Sequence, residues 1–452
     1  MAIDFFDPRR AMKFKPRERL HTTRSKLPCV VEDYIGHGGQ GAVYRAVVDG
    51  NHLALKCYFP HWLAIDVGLR ARLDALLNVK QPSDRFLWPV DLVVSDDDTA
   101  FGYIMPLRAP GYEAMTSLIA GRSSPSFRAV ITASYELAQS FHLLHAEGLS
   151  YQDISDRNVW FDAQTGAIEI CDVDNVSVNG VPSAVGGTAD YMAPEIIVGK
   201  AKPSADSDRY SLAVLIFLML MFDHPLRGAR ERRYAVLDDE ARNAIYGVDP
   251  VFVLDPNDDS NRPVPGIHDQ VLAYWPLYPR YIQTLFVRSF TAGLHSPADR
   301  VWESEWRKQL VRLRDAILRC DGCTAENFYD ESTSGMRCCW SCGQELGDPV
   351  RLVLADESVV LNTDTKLYRH HLDRHARYAF DRALASVARH PSQPELCGLR
   401  NDSSAPWTVT TRSGETMMIA QHQVVRLEEG LQIDFGSRRG EIVLGASMAV
   451  AR

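Results

Sequence analysis

The apolar period of this chain changes several times, and each change predicts an element. From Val31 to Tyr58 apolar residues alternate between glycine-rich punctuation, which is the period of strands. Between Ile65 and Leu77 the spacing lengthens, and Leu69, Leu73, Leu76 and Leu77 share one face of a predicted helix. Phe86 to Val94 and Phe101 to Met105 are two further extended runs, separated by the acidic turn Asp96-Asp97-Asp98. Helical spacing returns at Phe127 and runs through Val130, Leu137, Phe141 and Leu144 to His145, with His142 and His145 read as surface or packing residues. Ala167 to Cys171 is a short apolar run. Leu212 to Phe222 is the most apolar stretch; a membrane helix needs about 20 such residues, so this reads as a buried helix. Val350 to Val360 alternates again, and Val424 to Phe435 carries a glycine turn, so the last part of the chain reads as β.

Length changes the picture first. The 452 residues exceed one core, so two to four domains are expected. A net charge of -9 gives no support for nucleic-acid binding. No early run resembles a secretion signal, since charges interrupt Met1 to Leu27, and a cytoplasmic location without a membrane span is the expectation. Residues 1–29 are basic and aperiodic, with Pro8-Arg9-Arg10 and Lys13 to Arg19, and read as an arm. The stretch Asp249 to Pro265, with Pro225-Leu226-Arg227-Gly228, reads as an insertion whose part Asp255 to Pro263 is a surface loop.

Candidate chemistry lies in three places. Gly36, Gly38 and Gly41 punctuate a strand–turn–strand, where backbone N–H groups can approach phosphates that side chains would exclude. No helix follows, so a dinucleotide fold is excluded, and no Walker sequence is present. Lys56 ends the next strand. Asp153, Asn158 and Asp172 set two carboxylates and an amide around a short segment, a set that can hold a divalent cation and orient a hydroxyl. Further on, Cys320-Asp321-Gly322-Cys323 and Cys339-Trp340-Ser341-Cys342 are two Cys-x-x-Cys pairs. Four thiolates at this spacing suit structural Zn²⁺ in a reducing compartment; Cys338 is an alternative ligand.

Taken together, residues 30–312 resemble the protein kinase family, of the bacterial-type eukaryotic-like Ser/Thr branch. Tyr151-Gln152-Asp153, four residues, then Asn158 resembles the catalytic loop, and Asp172-Val173-Asp174 resembles the Asp-Phe-Gly motif. Gly187-Thr188-Ala189-Asp190-Tyr191-Met192-Ala193-Pro194-Glu195 resembles the end of the activation segment and is the most specific match. The resemblance implies a bilobal α+β fold, an N-lobe of 30–105 and a C-lobe of 106–312, with ATP between a five-stranded lobe and a helical one. It implies that Ile35, Gly36, Gly38, Gly39, Gln40, Gly41, Val43, Ala54 and the hinge residue Met105 contact the nucleotide. Lys56 meets the phosphates, Asp172 and Asn158 hold Mg²⁺ or Mn²⁺, and Asp153 orients the acceptor hydroxyl with Thr188 beside it. Glu195 is expected to pair with Arg300, and Asp208 to brace the catalytic loop. The usual glutamate partner of the lysine is absent from the predicted helix, and the role passes to Asp74.

Three departures matter. Gln152 replaces the arginine that meets a phosphorylated loop, implying activity not gated by that phosphate. Ser155 replaces a lysine that meets the γ-phosphate, a region that Arg157 can reach. Asp174 replaces a glycine and either stiffens the segment or adds a carboxylate near Mg²⁺.

Residues 313–347 resemble a zinc ribbon. Residues 348–452 resemble a divergent forkhead-associated β-sandwich through Asn401-Asp402-Ser403 and Trp407-Thr408-Val409. That likeness implies a phosphopeptide site on Arg369, His371 and Asn401. The reading is a protein kinase acting on Ser/Thr of protein substrates, whose tail recruits substrates or a phosphoprotein. A pseudokinase scaffold and a kinase-like small-molecule phosphotransferase are the alternatives.

Overall fold

A computed structural model describes residues 14, 18–181, 187–333, 336–393 and 396–445. Pro8-Arg9-Arg10, Lys13 and Gly186 lie outside them. The chain divides into two compact units, Met1–Leu272 with Thr284–Arg307, and Ala273–Gln283 with Lys308–Arg452.

The first unit begins with a barrel. Its strands are β1 (Arg19–Thr22), β2 (Pro28–His37), β3 (Gly41–Val48), β4 (Asn51–Tyr58), β5 (Asp91–Val94) and β6 (Phe101–Pro106). They run in the order β1-β2-β3-β4-β6-β5 and close through His21↔Val94 and Thr22↔Val93. Closure removes the open edges of a sheet. Alternation along β3 sends Ala42, Tyr44, Ala46 and Val48 inward against Leu20, Val31, Leu55 and Ile104. Six strands stand where five were expected, because β1 comes from the stretch read as an arm.

Two predicted boundaries shift for local reasons. The helix expected from Ile65 is split into Pro60–Ile65 and Leu69–Leu76, the second buried through Leu69, Leu73 and Leu76. The strand expected from Phe86 begins only at Asp91; Pro89 has no N–H to pair, and Phe86 makes a lone parallel bridge to Ile170.

The helix Phe127–Ala146 starts at Ser126, whose hydroxyl accepts from the Ala129 N–H at 3.1 Å. The helix Ala205–Met221 is buried except at Asp206, and a capping box of Ser204 and Ser207 starts it. Phe217 meets Phe286 and Phe290 edge-on at 5.0 and 5.8 Å. The segment expected as a surface loop is pinned: buried Asn261 donates to the carbonyls of Leu226 and Val251 at 3.0 and 2.6 Å.

The second unit holds two short hairpins, Ile317–Arg319 with Glu326–Phe328 and Arg337–Cys338 with Glu345–Leu346. A β-rich region follows. One sheet runs Ser358–Val360, Arg351–Leu354, Arg439–Val443, Gln432–Asp434, Trp407–Thr410, Thr416–Ile419. The other runs Lys366–Tyr368, Ala383–Arg389, Cys397–Asn401, Val424–Arg426. Residues from both sheets, among them Leu352, Ile442, Ile433, Trp407, Leu367 and Leu399, form one core. Among the described residues no helix is long and apolar enough to cross a membrane.

Candidate functional site

The site is built on β4. Lys56 and Tyr58 are two residues apart on this strand and share a face. Lys56 is buried, and its ammonium donates to Gln40 Oε1 at 2.9 Å, Asp172 Oδ1 at 3.2 Å and both oxygens of Asp174 at 3.1 and 2.8 Å. Burial alone would push this amine down, but the two carboxylates outweigh it and its pKa is raised. Tyr58 donates to Asp174 Oδ2 at 2.5 Å. The glycine loop is tied in through Gln40. Gly38 N–H bonds to the Gly41 carbonyl at 2.9 Å, closing the turn. A Cβ at Gly36, Gly38 or Gly39 would meet nothing within 4 Å, whereas one at Gly41 would sit 2.2 Å from the Cys57 carbonyl oxygen. Val43 pairs with Lys56 across β3–β4, and Ala54 pairs with Met105 across β4–β6.

The second half of the site lies after the helix Phe127–Ala146. Asp153 accepts from the Thr188 hydroxyl at 2.9 Å on one oxygen and from Asn158 Nδ2 at 3.2 Å on the other. Asn158 also donates to the Asp153 carbonyl at 2.9 Å. Its nitrogen is thereby engaged, and its amide oxygen is the atom left for a cation. Burial raises the Asp153 carboxyl, against the lowering effect of those hydrogen bonds. Asp172 has left-handed backbone, φ 53°, and its side chain is 39% exposed, unlike Asp174 at 1%. Asp172 and Asn158 thus offer hard oxygen donors of the kind Mg²⁺ takes. Arg157 is exposed on the turn Asp156–Asn158.

Asp208 holds the loop from beneath. It accepts from the Tyr151 and Gln152 backbone N–H groups at 2.6 and 3.0 Å, and from His145 Nε2 at 3.1 Å. His145 Nδ1 donates to Glu303 at 2.7 Å. Burial would lower this imidazole, but two carboxylates raise its pKa to about 9, so it is an imidazolium at neutral pH. Glu303 also accepts from Arg209 at 3.0 Å. Gln152 has φ 70° and donates to Ser177 Oγ and to the Val181 carbonyl at 2.7 Å. A neutral amide therefore anchors the segment after Asp174. Arg300 makes a two-pronged contact with Glu195 at 2.8 and 2.7 Å and caps the Gly293 and Asp206 carbonyls.

One expected pairing is overturned. Asp74 does not face Lys56; its carboxylate takes Arg24 at 2.8 Å at the surface. Arg24 holds Asp74 at the surface, while Gln40, Asp172 and Asp174 take the amine. Sequence reading missed His145 and Tyr58 as site residues. The signal for Asp174 was the coincidence of a helix without glutamate and an extra acid after Asp172-Val173.

In the second unit the thiols of Cys320, Cys323, Cys339 and Cys342 converge within 4.8 Å, with Cys320–Cys342 and Cys323–Cys339 sulfurs 3.7 and 3.6 Å apart. Sulfurs about 2.3 Å from one tetrahedral Zn²⁺ stand about 3.8 Å apart, while a disulfide is about 2.05 Å. The donor set and spacing fit structural zinc. Exposed Cys338 is not in the group.

The phosphopeptide residues do not form a site. His371 is fully buried, accepts from the Tyr368 N–H at 2.9 Å and donates from Nε2 to Asp315 at 3.2 Å. In that arrangement His371 Nε2 carries the proton it gives to Asp315, while the neighbouring buried His370 Nε2 has no hydrogen-bond partner. Asn401 is buried too, donating to the Ala405 and Ile419 carbonyls at 2.8 and 3.0 Å. Only Arg369 is exposed.

Comparison with known proteins agrees with the first unit's architecture. Residues 93–273 match the family described as protein kinase domain. The chain is similar to serine/threonine-protein kinase sck2 of Schizosaccharomyces pombe, 36% identical over 88 residues, 19% of this chain and 14% of that protein. It is similar to protein kinase C delta type of Mus musculus, 36% identical over 109 residues, 23% of this chain and 16% of that protein. It is also similar to serine/threonine-protein kinase PSK1 of Saccharomyces cerevisiae, 26% identical over 208 residues, 42% of this chain and 15% of that protein. The chain thus spans under a fifth of the length of these relatives. Residues 93–273 belong to a kinase-like mixed α+β domain, and a small cysteine-rich module and a β-rich C-terminal region follow it.

Proposed function

We propose that the chain is an ATP-dependent protein kinase that transfers the γ-phosphate to Ser or Thr hydroxyls, with a zinc-stabilised module over 313–347 and a β domain over 348–452 that recruit partners. The observation that carries this reading is that Asp172, 3.2 Å from Lys56, directly follows Cys171, whose N–H donates to the Asn158 carbonyl at 3.0 Å, beside the Asp153–Asn158–Thr188 group that Asp208 braces.

In this reading the glycine turn Gly36–Gly41 covers the phosphates with backbone N–H groups, and Ile35, Val43, Ala54 and Met105 bound the base. Lys56 sets an ammonium against the α and β phosphates. Asp172 and Asn158 hold Mg²⁺, which when bound draws charge from the phosphate oxygens. Asp153 orients the acceptor hydroxyl through the carboxylate that Thr188 and Asn158 fix, and accepts its proton late. Because burial raises Asp153, the acid limb of activity should lie at higher pH than an exposed aspartate would give.

The test is Mg²⁺-dependent incorporation of labelled phosphate into protein acceptors, compared with Asp153→Asn and Asp172→Asn. Loss in both supports the reading. A signal unchanged in both refutes it, and nucleotide binding without transfer makes the chain a scaffold. Transfer to metabolites but not peptides replaces the protein substrate with a small molecule.

A further inference from the structure

We propose that Asp174 is the positioning residue for Lys56: an acid carried by the metal-binding segment aims the amine, in place of an acid on the helix Leu69–Leu76. The inference rests on the nucleotide cleft proposed above and names the group that orders its cation.

Three observations lead here. First, the helix has no acid to give. Asp74 is its only one and takes Arg24 at the surface, while Asp66 just before it takes Arg72 at 2.9 and 2.6 Å. Second, the two acids on Lys56 differ in access. Asp172 contributes one oxygen at 3.2 Å and is 39% exposed, so it can meet a hydrated cation. Asp174 contributes both oxygens and is 1% exposed, so its carboxylate is committed to the amine. Third, Asp174 has its own brace. Tyr58 donates to it at 2.5 Å, and the Tyr58 ring stacks on Phe101 at 5.9 Å. Strand β4 therefore supplies both the lysine and the hydroxyl that orients the lysine's counterion.

The consequence is mechanical. A counterion on a separate helix makes lysine placement depend on where that helix sits. Here the ion pair joins β4 to the segment that carries Asp172, so the lysine and the cation ligand are set together. Without the Asp174 charge, Asp172 is the remaining carboxylate on Lys56, and the amine is drawn toward the cation ligand and away from the phosphates.

The experiment is steady-state phosphate transfer by the full chain, with kcat, KM for ATP and half-saturating Mg²⁺ measured for wild type, Asp174→Asn, Asp174→Glu and Tyr58→Phe. Misplacing a reacting partner by an ångström costs about 100-fold, so Asp174→Asn should lower kcat by about 10- to 100-fold. KM for ATP and half-saturating Mg²⁺ should stay within about 3-fold, and Asp174→Glu should recover most of the rate. Tyr58→Phe keeps every charge and should lower kcat by about 3- to 10-fold with the same pattern. A large rise in half-saturating Mg²⁺ with kcat restored at high Mg²⁺ would make Asp174 a metal ligand and overturn the proposal. So would wild-type kcat in Asp174→Asn, or, if that variant does not fold, in Tyr58→Phe. A wild type that transfers no phosphate removes the kinase reading itself, and this assignment with it.

Discussion

Replacing His145 by glutamine tests the support beneath the catalytic loop. His145 is enclosed, and both ring nitrogens donate to carboxylates, Asp208 at 3.1 Å and Glu303 at 2.7 Å. Its pKa rises from 6.5 to about 9. At about 1.4 kcal/mol per pKa unit, the protonated form is favoured in the folded state by about 3 kcal/mol. Glu303 is lowered by the same contacts, against burial, so the two shifts describe one energy. The sign follows from a folded pKa above the unfolded one. The stabilisation is fully present below about pH 6.5 and is lost as pH rises through about 9. His145→Gln keeps one donor and no charge. It should cost about 3 kcal/mol near pH 6, with the difference from wild type shrinking toward about pH 10. Two measurements check this. Imidazole resonances in ¹H–¹³C spectra, assigned by their absence in the variant, should give a midpoint near 9. Thermal unfolding of both proteins across the same pH range should show the converging difference. A midpoint at or below 6.5, or parallel pH profiles, would refute the reasoning.

Other consequences are separable from this one. Arg300→Met leaves Glu195 without its two-pronged partner and should destabilise the first unit by about 3–5 kcal/mol, read as a lowered melting temperature. Cys323→Ser, or treatment with a strong chelator, should remove about one zinc per chain by elemental analysis and loosen hydrogen exchange around Cys320–Cys342; full metal content in the variant would count against the four-thiol site. Ile433→Ala opens the fully buried core between the two C-terminal sheets and should cost about 2–5 kcal/mol in denaturant unfolding.

Much of the site was legible because its chemistry sits in short local motifs. Glycines at 36, 38 and 41 announce a turn, and Asp153 and Asn158 lie close enough in sequence to share one loop. Two Cys-x-x-Cys pairs announce a four-thiol cluster, since each pair's thiols can turn toward one ion. The long helices were legible too, because their apolar period repeats over several turns. Failures came where a side chain had several possible partners far away in sequence. Asp74 was assigned by distance along the chain, but Arg24 lies beside it in space. His371 and Asn401 were assigned to a ligand site by resemblance of their motifs, yet each satisfies buried polar groups of its own domain.

By itself the sequence determined most strands and the long helices, and which residue types gather at the loop tips, because periodicity and turn chemistry act over a few neighbours. Only the tertiary structure decided the pairings: β1 closing the barrel, His145 between two carboxylates, and Asp174 with Tyr58 around Lys56. The physical reason is that a buried charge binds whichever opposite charge the packing brings within hydrogen-bond reach, and packing is a property of the whole fold.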